Sequence, residues 1–165
     1  AENAKQMIVC SSCSKNFGLY RERIGACTII GESSASVDVA YSNLLYVIRV
    51  IYSMPPAHGA ALVETILSSD ELRNEWHVEL KEMRDRINGN RSLIVNKLKE
   101  NGVTRDFSFI QSQNGMFSFS GLNPAQVARL KSEYGIYMVS SGRINIAGIS
   151  SSNLDYLCDA IAAVC

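Results

Sequence analysis

The sequence predicts an α/β fold, because patterns typical of strands and patterns typical of helices alternate along its 165 residues. Short apolar runs and segments of period two are typical of strands, whereas apolar residues three, four and seven positions apart are typical of helices. The composition, 47% hydrophobic and 19% charged, supplies enough apolar side chains for a folded core. The length fits one domain, or one domain and part of another.

Two strands and a helix are predicted in the first part of the chain. MIVCSS is a continuous apolar run of the kind found in strands that are covered on both faces, and GACTIIGE is a second strand. Helical spacing between Val37 and Ile48 predicts a helix, which ends at YSMPP because proline lacks the backbone N–H. We expect residues 1–35 to be the end of a sheet whose other strands lie outside this chain, followed by a linking helix.

Two further helices are predicted next. Helical spacing covers residues 57–67, and Ser68 with Glu71 three positions later is the pattern of a capping box for a third, longer helix. The pair Asn101 and Gly102 is typical of a helix end, because glycine readily adopts a left-handed conformation there. The sequence therefore predicts that the third helix ends at this pair.

The last third combines short strands with two helices. DFSFI and GMFSFSG alternate aromatic and polar residues, as half-buried strands do, and IYMVS and RINIAG predict two more strands. NPAQVARLKSEYG predicts a helix with Asn123 as its N-cap and Gly135 as its end. NLDYLCDAIAAVC predicts a closing helix with an apolar stripe. We expect residues 57–165 to form one α/β domain.

The charge pattern argues against nucleic-acid and membrane-surface functions. Sixteen basic residues balance sixteen acidic ones, and no long run of one sign occurs. No apolar run approaches the roughly 18 residues that a transmembrane helix needs. We therefore expect a soluble protein that binds neither nucleic acid nor membranes.

The cysteines are not spaced as a disulfide framework, which favours a reducing compartment. Cys10 and Cys13 form a C-x-x-C pair, the pattern of a redox pair or of half a zinc site. No second C-x-x-C is present, and His58 and His77 lack ligand spacing, so we expect no metal site and expect the two thiols to be buried. The full set is Cys10, Cys13, Cys27, Cys158 and Cys165.

One short stretch, SSCSKNFGLYRER, carries residues suited to a phosphorylated aldehyde. A lysine amine such as that of Lys15 becomes a nucleophile when burial or nearby cations lower its pKa. The guanidinium of Arg23 and the hydroxyls of Ser12 and Ser14 are donors that suit phosphate. The alternative is a surface lysine beside an arginine in an ion pair. A nucleotide P-loop is excluded, because GxxxxGK[ST] is absent.

Two arginines occur in apolar contexts. Arg49 follows LLYVI, and Arg143 immediately precedes the predicted strand that begins INIAG. Each is either a structural cation or a partner for a carboxylate or phosphate. Together with an aldehyde-binding lysine, the two arginines would suit a substrate that has two carboxylates.

Four segments together resemble the aspartate aminotransferase family: SxSKNFGLYxERIGACT, YSxPPAHGA, RDFSFIxxQNGMFSFSGL and SGRINIAGI. They come in the family's order and spacing, and the resemblance extends from about Met7 to Cys165. Aromatic-amino-acid aminotransferases of the same subgroup share most of these segments. The resemblance implies the fold-type I scaffold, here as the C-terminal small domain together with the last strands of the large cofactor-binding domain.

The resemblance implies pyridoxal 5'-phosphate as cofactor and gives roles to the residues of the first segment. Lys15 matches the lysine that forms the Schiff base and moves the proton in the reaction. Ser12, Ser14 and Arg23 match positions of the phosphate-binding cup. Residues 1–35 would then be the end of the large domain, residues 36–56 the linking helix and dimer-interface segment, and residues 57–165 the small domain.

The resemblance also implies a substrate site shared between two subunits. Arg143 matches the arginine that binds the substrate α-carboxylate, and Phe117 matches a residue that lines the pocket. Arg49 matches the arginine that reaches the distal carboxylate across a homodimer interface, and Ser53 would lie near the neighbouring subunit's site. Met54 departs from the family, which usually has asparagine at this position.

The implied activity is ping-pong transfer of an amino group between L-aspartate and 2-oxoglutarate, giving oxaloacetate and L-glutamate. The partners would be amino acids and 2-oxo acids, and the location cytoplasmic, with mitochondria not excluded. The chain resembles only the C-terminal portion of the family and has no counterpart for the aspartate that pairs with the pyridine nitrogen. Two alternatives therefore stay open: an aromatic-amino-acid aminotransferase, and a folded fragment without catalysis of its own.

Overall fold

The computed structural model describes residues 4–165, which divide between His77 and Val78 into two compact units. Both helices and antiparallel strands are present, which confirms the predicted α/β class. The domain limits predicted after residues 35 and 56 stay predictions. No helix within the described part of the chain is both long and apolar enough to cross a membrane.

Two antiparallel strands open the first unit, as predicted. β1 (Met7–Ser12) pairs with β2 (Gly25–Ile30) along its whole length, with Met7 opposite Ile30. Nearly all of their residues are exposed. The prediction that these strands are covered on both faces is therefore wrong for this chain, because the side chains on the faces of this two-stranded sheet stay largely in contact with solvent.

Two predicted helices follow in the first unit. α1 (Ser34–Ile51) begins at Ser33, whose hydroxyl accepts a hydrogen bond from the N–H of Ser36. Its apolar stripe is present as predicted, but the helix has no buried residue. The next helix, α2 (His58–Ser68), has Gly59 as its one buried residue.

The long third helix, α3 (Asp70–Glu100), is confirmed, but its predicted start is wrong. Ser68 is the last residue of α2, so Ser69 is the extended residue between the two helices, and its hydroxyl accepts from the N–H of Leu72 at 3.3 Å. The predicted end is correct, because Gly102 follows the helix with φ of 75°.

The second unit is built around the C-terminal part of α3. Strands β3 (Phe117–Phe119) and β4 (Arg143–Asn145) pair antiparallel, with Phe117 opposite Asn145 and Phe119 opposite Arg143. Asn123 caps α4 (Pro124–Tyr134) through its side chain, and Gly135 ends it with φ of 63°, as predicted. The other elements of this unit are the 3-10 turns Ser108–Ile110 and Ile146–Gly148 and the closing helix α5 (Leu154–Val164).

Two predicted strands of the second unit are wrong. DFSFI forms a 3-10 turn, because the carboxylate of Asp106 accepts hydrogen bonds from both the N–H and the hydroxyl of Ser108. IYMVS, at residues 136–140, is not a strand, because β3 and β4 pair only with each other among the described residues. RINIAG is a strand only over its first three residues.

The hydrophobic core lies in the second unit. Side chains from α3, α4 and α5 pack together with residues of the connecting segments, and the most deeply buried apolar ones are Ile94, Leu98, Ile110, Leu130, Ile146, Cys158 and Ile161. Burial raises the pKa of the Cys158 thiol to about 11.

The other cysteines lie closer to the surface. Cys13 is partly buried, whereas Cys10 and Cys27 are exposed in the two-stranded sheet. The prediction that Cys10 is a buried thiol is therefore wrong for this chain, because the described residues leave its side chain exposed on the two-stranded sheet. Within residues 4–165 no group of three or more His, Cys, Asp or Glu side chains is placed to hold a metal ion.

Candidate functional site

The connection between β1 and β2 carries Lys15. Strand pairing continues one residue past the strands, because the N–H of Cys13 donates to the carbonyl of Ile24 at 3.1 Å. The chain then turns at Lys15, whose carbonyl accepts from the N–H of Gly18 at 3.3 Å. Gly18 has φ of 68°, a conformation that glycine adopts without steric cost.

Two serines lie next to this lysine. Ser12 donates through its hydroxyl to the hydroxyl of Ser14 at 3.0 Å, and the N–H of Ser14 donates to the Ser12 oxygen at 3.2 Å. Ser14 is buried, whereas Ser12 and Lys15 are exposed. The described residues therefore orient the lysine turn but do not bury the Lys15 side chain.

The lysine turn is anchored on the first turns of α3. The indole N–H of Trp76 donates to the carbonyl of Asn16 at 2.8 Å, and the ring of Phe17 stacks on the indole with centroids 4.5 Å apart. Sequence reasoning gave Trp76 no role beyond its place in the long third helix. The side-chain oxygen of Asn16 is buried and has no hydrogen-bond partner among the described residues, so one polar atom beside Lys15 is left to accept a hydrogen bond.

Arg23 lies in the same connection in an unusual backbone conformation. Its φ is 53°, in the left-handed region that residues other than glycine seldom adopt. Its guanidinium is exposed and donates to the carbonyl of Tyr20 at 2.9 Å. Strained residues of this kind are concentrated at functional sites.

Arg49 and Ser53 lie at the end of α1 and in the segment that follows it. Tyr52 and Met54, the neighbours of Ser53, border one cavity together with Arg23. Arg49 is in the last turn of α1, where a cation is favoured by the helix dipole, and its side chain is exposed. Ser53 has φ of 61°, the second left-handed residue other than glycine in the described chain. Their predicted closeness to a neighbouring subunit's site stays a prediction.

Arg143 and Phe117 meet in the second unit. The guanidinium carbon of Arg143 lies 4.9 Å from the centre of the Phe117 ring, a cation–π geometry that orients the arginine. Both residues are exposed and border a cavity of about 460 Å³ with mainly apolar walls. The other side chains at this cavity include Tyr137, Met138, Tyr156 and Leu157. Arg143 therefore offers a cationic group beside an apolar surface.

The backbone under Phe117 is held by a residue that sequence reasoning missed. Arg91 is only 1% exposed, and its guanidinium donates to the carbonyls of Gln113, Gly115 and Phe117 at 3.0, 2.7 and 3.1 Å. Burial lowers the pKa of Arg91 from its ordinary value. The arginine ties three carbonyls of one segment to α3 and so fixes the segment that carries Phe117.

The segment after Arg143 is held in the same way. The side-chain amide of Asn90 donates to the carbonyls of Ile146 and Ile149 at 3.3 and 2.9 Å. Arg86 donates to the carbonyls of Ala147 and Ile149 at 3.0 and 3.1 Å. Polar side chains of α3 thus fix the segments on both sides of the β3–β4 pair.

The donors of the first unit suit a phosphorylated aldehyde. The β1–β2 connection and the strand end before it carry an amine, two serine hydroxyls and a guanidinium, a set that can bind a carbonyl carbon and a phosphate. The buried oxygen of Asn16 can accept a further hydrogen bond. The structure places Lys15, Ser12, Ser14 and Arg23 in this unit, and it brings Phe117 and Arg143 together in the other.

Comparison with protein families gives one match over nearly the whole chain. A family model described as aminotransferase class I and II matches residues 1–161. The aspartate aminotransferase of Escherichia coli strain K12 is 58% identical over 160 residues, which are 97% of this chain and 40% of that protein. The chain therefore spans about 40% of the length of the curated relatives it matches.

Two solved structures show the same fold. An aromatic-amino-acid aminotransferase from Burkholderia pseudomallei, covalently bound to pyridoxal phosphate, has a TM-score of 0.88 and 53% identity over 96% of this chain and 40% of that one. A mitochondrial aspartate aminotransferase from Trypanosoma brucei has a TM-score of 0.89 and 40% identity over 99% of this chain and 43% of that one. These similarities confirm the fold class that the sequence predicts.

Proposed function

Since the chain belongs to the class I and II aminotransferase family, we propose that it is part of a pyridoxal-phosphate-dependent aspartate aminotransferase. The enzyme transfers an amino group between L-aspartate and 2-oxoglutarate, giving oxaloacetate and L-glutamate. The observation that carries this proposal is the turn between β1 and β2, where Lys15 lies between the Ser12–Ser14 hydroxyl pair and the strained Arg23. The similarity to a relative named aspartate aminotransferase supports the substrate.

The cofactor of this proposal is pyridoxal 5'-phosphate, held by residues of the first unit. Ser12, Ser14 and Arg23 would hold the phosphate through their hydrogen-bond donors, and Lys15 would offer its amine to the aldehyde carbon. When bound, the cofactor supplies a ring that stores electrons while bonds at the substrate α-carbon change. The similar Burkholderia structure, which is covalently bound to pyridoxal phosphate, supports this assignment.

Lys15 then acts as the proton carrier of the reaction. With the cofactor bound, the amine of Lys15 would take the proton from the substrate α-carbon and would deliver it to the carbon on the other side of the transferred nitrogen. The carrier must be held within reach of both positions. The hydrogen bond from Trp76 to Asn16 and the stacking of Phe17 on Trp76 provide that restraint for the backbone next to the lysine.

The arginines bind the substrate carboxylates. Arg143 pairs with the α-carboxylate through two parallel hydrogen bonds, and the Phe117 ring orients its guanidinium and lines the pocket. Arg49 binds the distal carboxylate, which selects aspartate and glutamate. Its exposure at the end of α1 suits a role at a homodimer interface, with Ser53 near the neighbouring subunit's site. A cytoplasmic location is part of the same proposal.

A second candidate is an aromatic-amino-acid aminotransferase. It is favoured by the 53% identity with the Burkholderia protein of that name and by the apolar walls of the cavity beside Arg143. Both candidates use the same lysine and cofactor. They differ in the amino acid that converts the bound cofactor to its aminated form.

The test is labelling of the 165-residue chain with pyridoxal phosphate, followed by borohydride reduction and peptide mapping. We expect the label to concentrate at Lys15, and Lys15→Ala to remove that label while Lys131→Ala leaves it unchanged. Loss of the cofactor absorbance on addition of aspartate but not phenylalanine supports the aspartate enzyme, and the reverse supports the aromatic one. Label spread evenly over the lysines would contradict a cofactor site in this chain and leave a folded fragment without catalysis.

A further inference from the structure

One hydrogen bond within the β1–β2 connection supports the unusual conformation of Arg23. Its guanidinium donates to the carbonyl of Tyr20, three residues earlier in the same connection. Such a contact orients the side chain but does not hold the backbone at φ of 53°. A left-handed residue with a long side chain persists only where neighbouring structure imposes its conformation.

The residue before Arg23 is held by the start of α2. Glu22 lies with its carboxylate 3.1 Å from Nδ1 of His58, the first residue of that helix. Gly59, the next residue, is buried against Glu22, and a Cβ atom added to Gly59 would lie 2.7 Å from the Glu22 Cβ. An approach this close admits only glycine, since it is closer than van der Waals contact allows for a side chain.

The residue after Arg23 is held by the same glycine. A Cβ atom added to Gly59 would lie 2.8 Å from Cγ2 of Ile24. The carbonyl of Ile24 also accepts the hydrogen bond from Cys13 that extends the β1–β2 ladder. Both neighbours of Arg23 therefore pack closely against the start of α2, on either side of the left-handed residue.

We propose that His58 and Gly59 are positioning residues that clamp Glu22 and Ile24 and thereby present the Arg23 guanidinium to the phosphate of the cofactor. The proposal rests on the proposed function, because that function makes Arg23 a phosphate ligand. His58 and Gly59 touch neither the phosphate nor the reacting atoms. They act through the two residues on either side of Arg23.

The first test needs no cofactor and measures how well the backbone around Arg23 is held. Gly59→Ala places a methyl group in the contact, and Gly89→Ala is the matched control, because Gly89 also lies inside a helix and has no atom near an added Cβ. Alanine has a higher helix propensity than glycine, so propensity alone predicts that neither substitution lowers the stability of the fold. We expect trypsin to cleave after Arg23 about tenfold faster in Gly59→Ala and at an unchanged rate in Gly89→Ala.

The second test distinguishes contacts with the phosphate of the cofactor from the reaction of its aldehyde. Pyridoxal has the aldehyde but no phosphate, so the preference of Lys15 for pyridoxal phosphate over pyridoxal reports the phosphate contacts. We expect Gly59→Ala and His58→Ala to lower this preference about tenfold while labelling by pyridoxal stays unchanged. His58→Asn places an amide N–H at the Nδ1 position and is expected to restore it. Unchanged fluorescence of Trp76 shows that the lysine turn is intact.

The outcomes separate this proposal from the proposed function. Equal rates of trypsin cleavage after Arg23 in Gly59→Ala and Gly89→Ala would contradict the proposal that Gly59 holds the residues on either side of Arg23. Faster cleavage in Gly59→Ala with an unchanged phosphate preference overturns its role in phosphate binding. If Lys15 of the unaltered chain is labelled no faster than the other lysines by either aldehyde, the proposed function itself fails, and the assignment to phosphate fails with it.

Discussion

Arg91 illustrates how one buried charge holds a functional segment. Its guanidinium is the donor for three carbonyls between Gln113 and Phe117, so removing it takes a hydrogen bond from each of these acceptors and leaves a cavity at a buried position of α3. We expect Arg91→Ala to lower the free energy of unfolding of the second unit by about 3 kcal/mol. Urea denaturation measures this. Arg84→Ala, at an exposed position of the same helix, is the control, and equal losses in both variants would contradict the assignment.

A pH effect is expected at Asp106. The N–H of Ser108 and then its hydroxyl hold the pKa of the Asp106 carboxyl below its ordinary value. A lowered pKa in the folded state stabilises the fold above the pKa of the unfolded chain, and this contribution is lost as the pH falls through the folded value. Ser108→Ala removes one donor and raises the pKa of Asp106, which a carbon-13 NMR titration measures. Ser112→Ala, whose hydroxyl donates to a carbonyl, leaves it unchanged.

The residues of the candidate site differ in how far sequence predicts them. Lys15 and Arg23 were predicted because an amine, hydroxyls and a guanidinium lie within one short connection, where neighbours in sequence are neighbours in space. Arg91 was missed because its partners are backbone carbonyls, which no sequence pattern identifies. The one signal was its position in an apolar stripe, between Ile87 and Ile94 at spacings of four and three. The chemical roles of Lys15 and Arg23 stay predictions.

At the scale of elements, the β1–β2 pair brings two thiols together. Cys10 lies opposite Cys27, and their sulfur atoms are 3.9 Å apart. Pairs of opposite residues alternate between hydrogen-bonded and non-hydrogen-bonded types. Because the N–H of Cys13 bonds to the carbonyl of Ile24, Cys10 and Cys27 form a pair of the second type, in which side chains approach more closely. This geometry suits a disulfide.

We expect diamide to oxidise Cys10 and Cys27 to an intrachain disulfide, since the diazene accepts the two electrons and two protons that the thiols release. Peptide mapping without reduction measures the product, and Cys10→Ser abolishes it. Cys158 stays reduced, because it is buried and its pKa is raised to about 11. A predominant link between Cys10 and Cys13 would contradict the register of the two strands.

Helices were predicted more accurately than strands because their signals are local. Asn123 and Gly135 mark the ends of α4 through contacts within one turn of the chain. A strand depends on a partner that is distant in sequence, and period two alone does not supply one. DFSFI has the alternation of a strand, but Asp106 offers its backbone a local acceptor, and no described strand lies beside it.

At the scale of the whole molecule, the two units differ in their buried apolar surface. Among residues 4–165 every buried hydrophobic side chain lies in the second unit. The first unit exposes apolar residues on both strands and along α1, among them Ile8, Tyr41 and Val50. Burial of apolar area is the main favourable term in folding, so the second unit has the greater source of stability.

This difference predicts the pattern of hydrogen exchange along the chain. Amides of α4 and α5 are expected to exchange on the order of 100-fold more slowly than those of β1, β2 and α1, because local opening costs least where few apolar contacts are broken. Helix α3 is an internal control, since its backbone hydrogen bonding is continuous from Asp70 to Glu100 while buried residues begin only at Arg91. Mass spectrometry of peptides from the 165-residue chain measures the exchange rates of these elements and of the two ends of α3. Strong protection of the first turns of α3 together with β1 would mean that the chain unfolds as one cooperative unit and that buried apolar area does not determine where it opens.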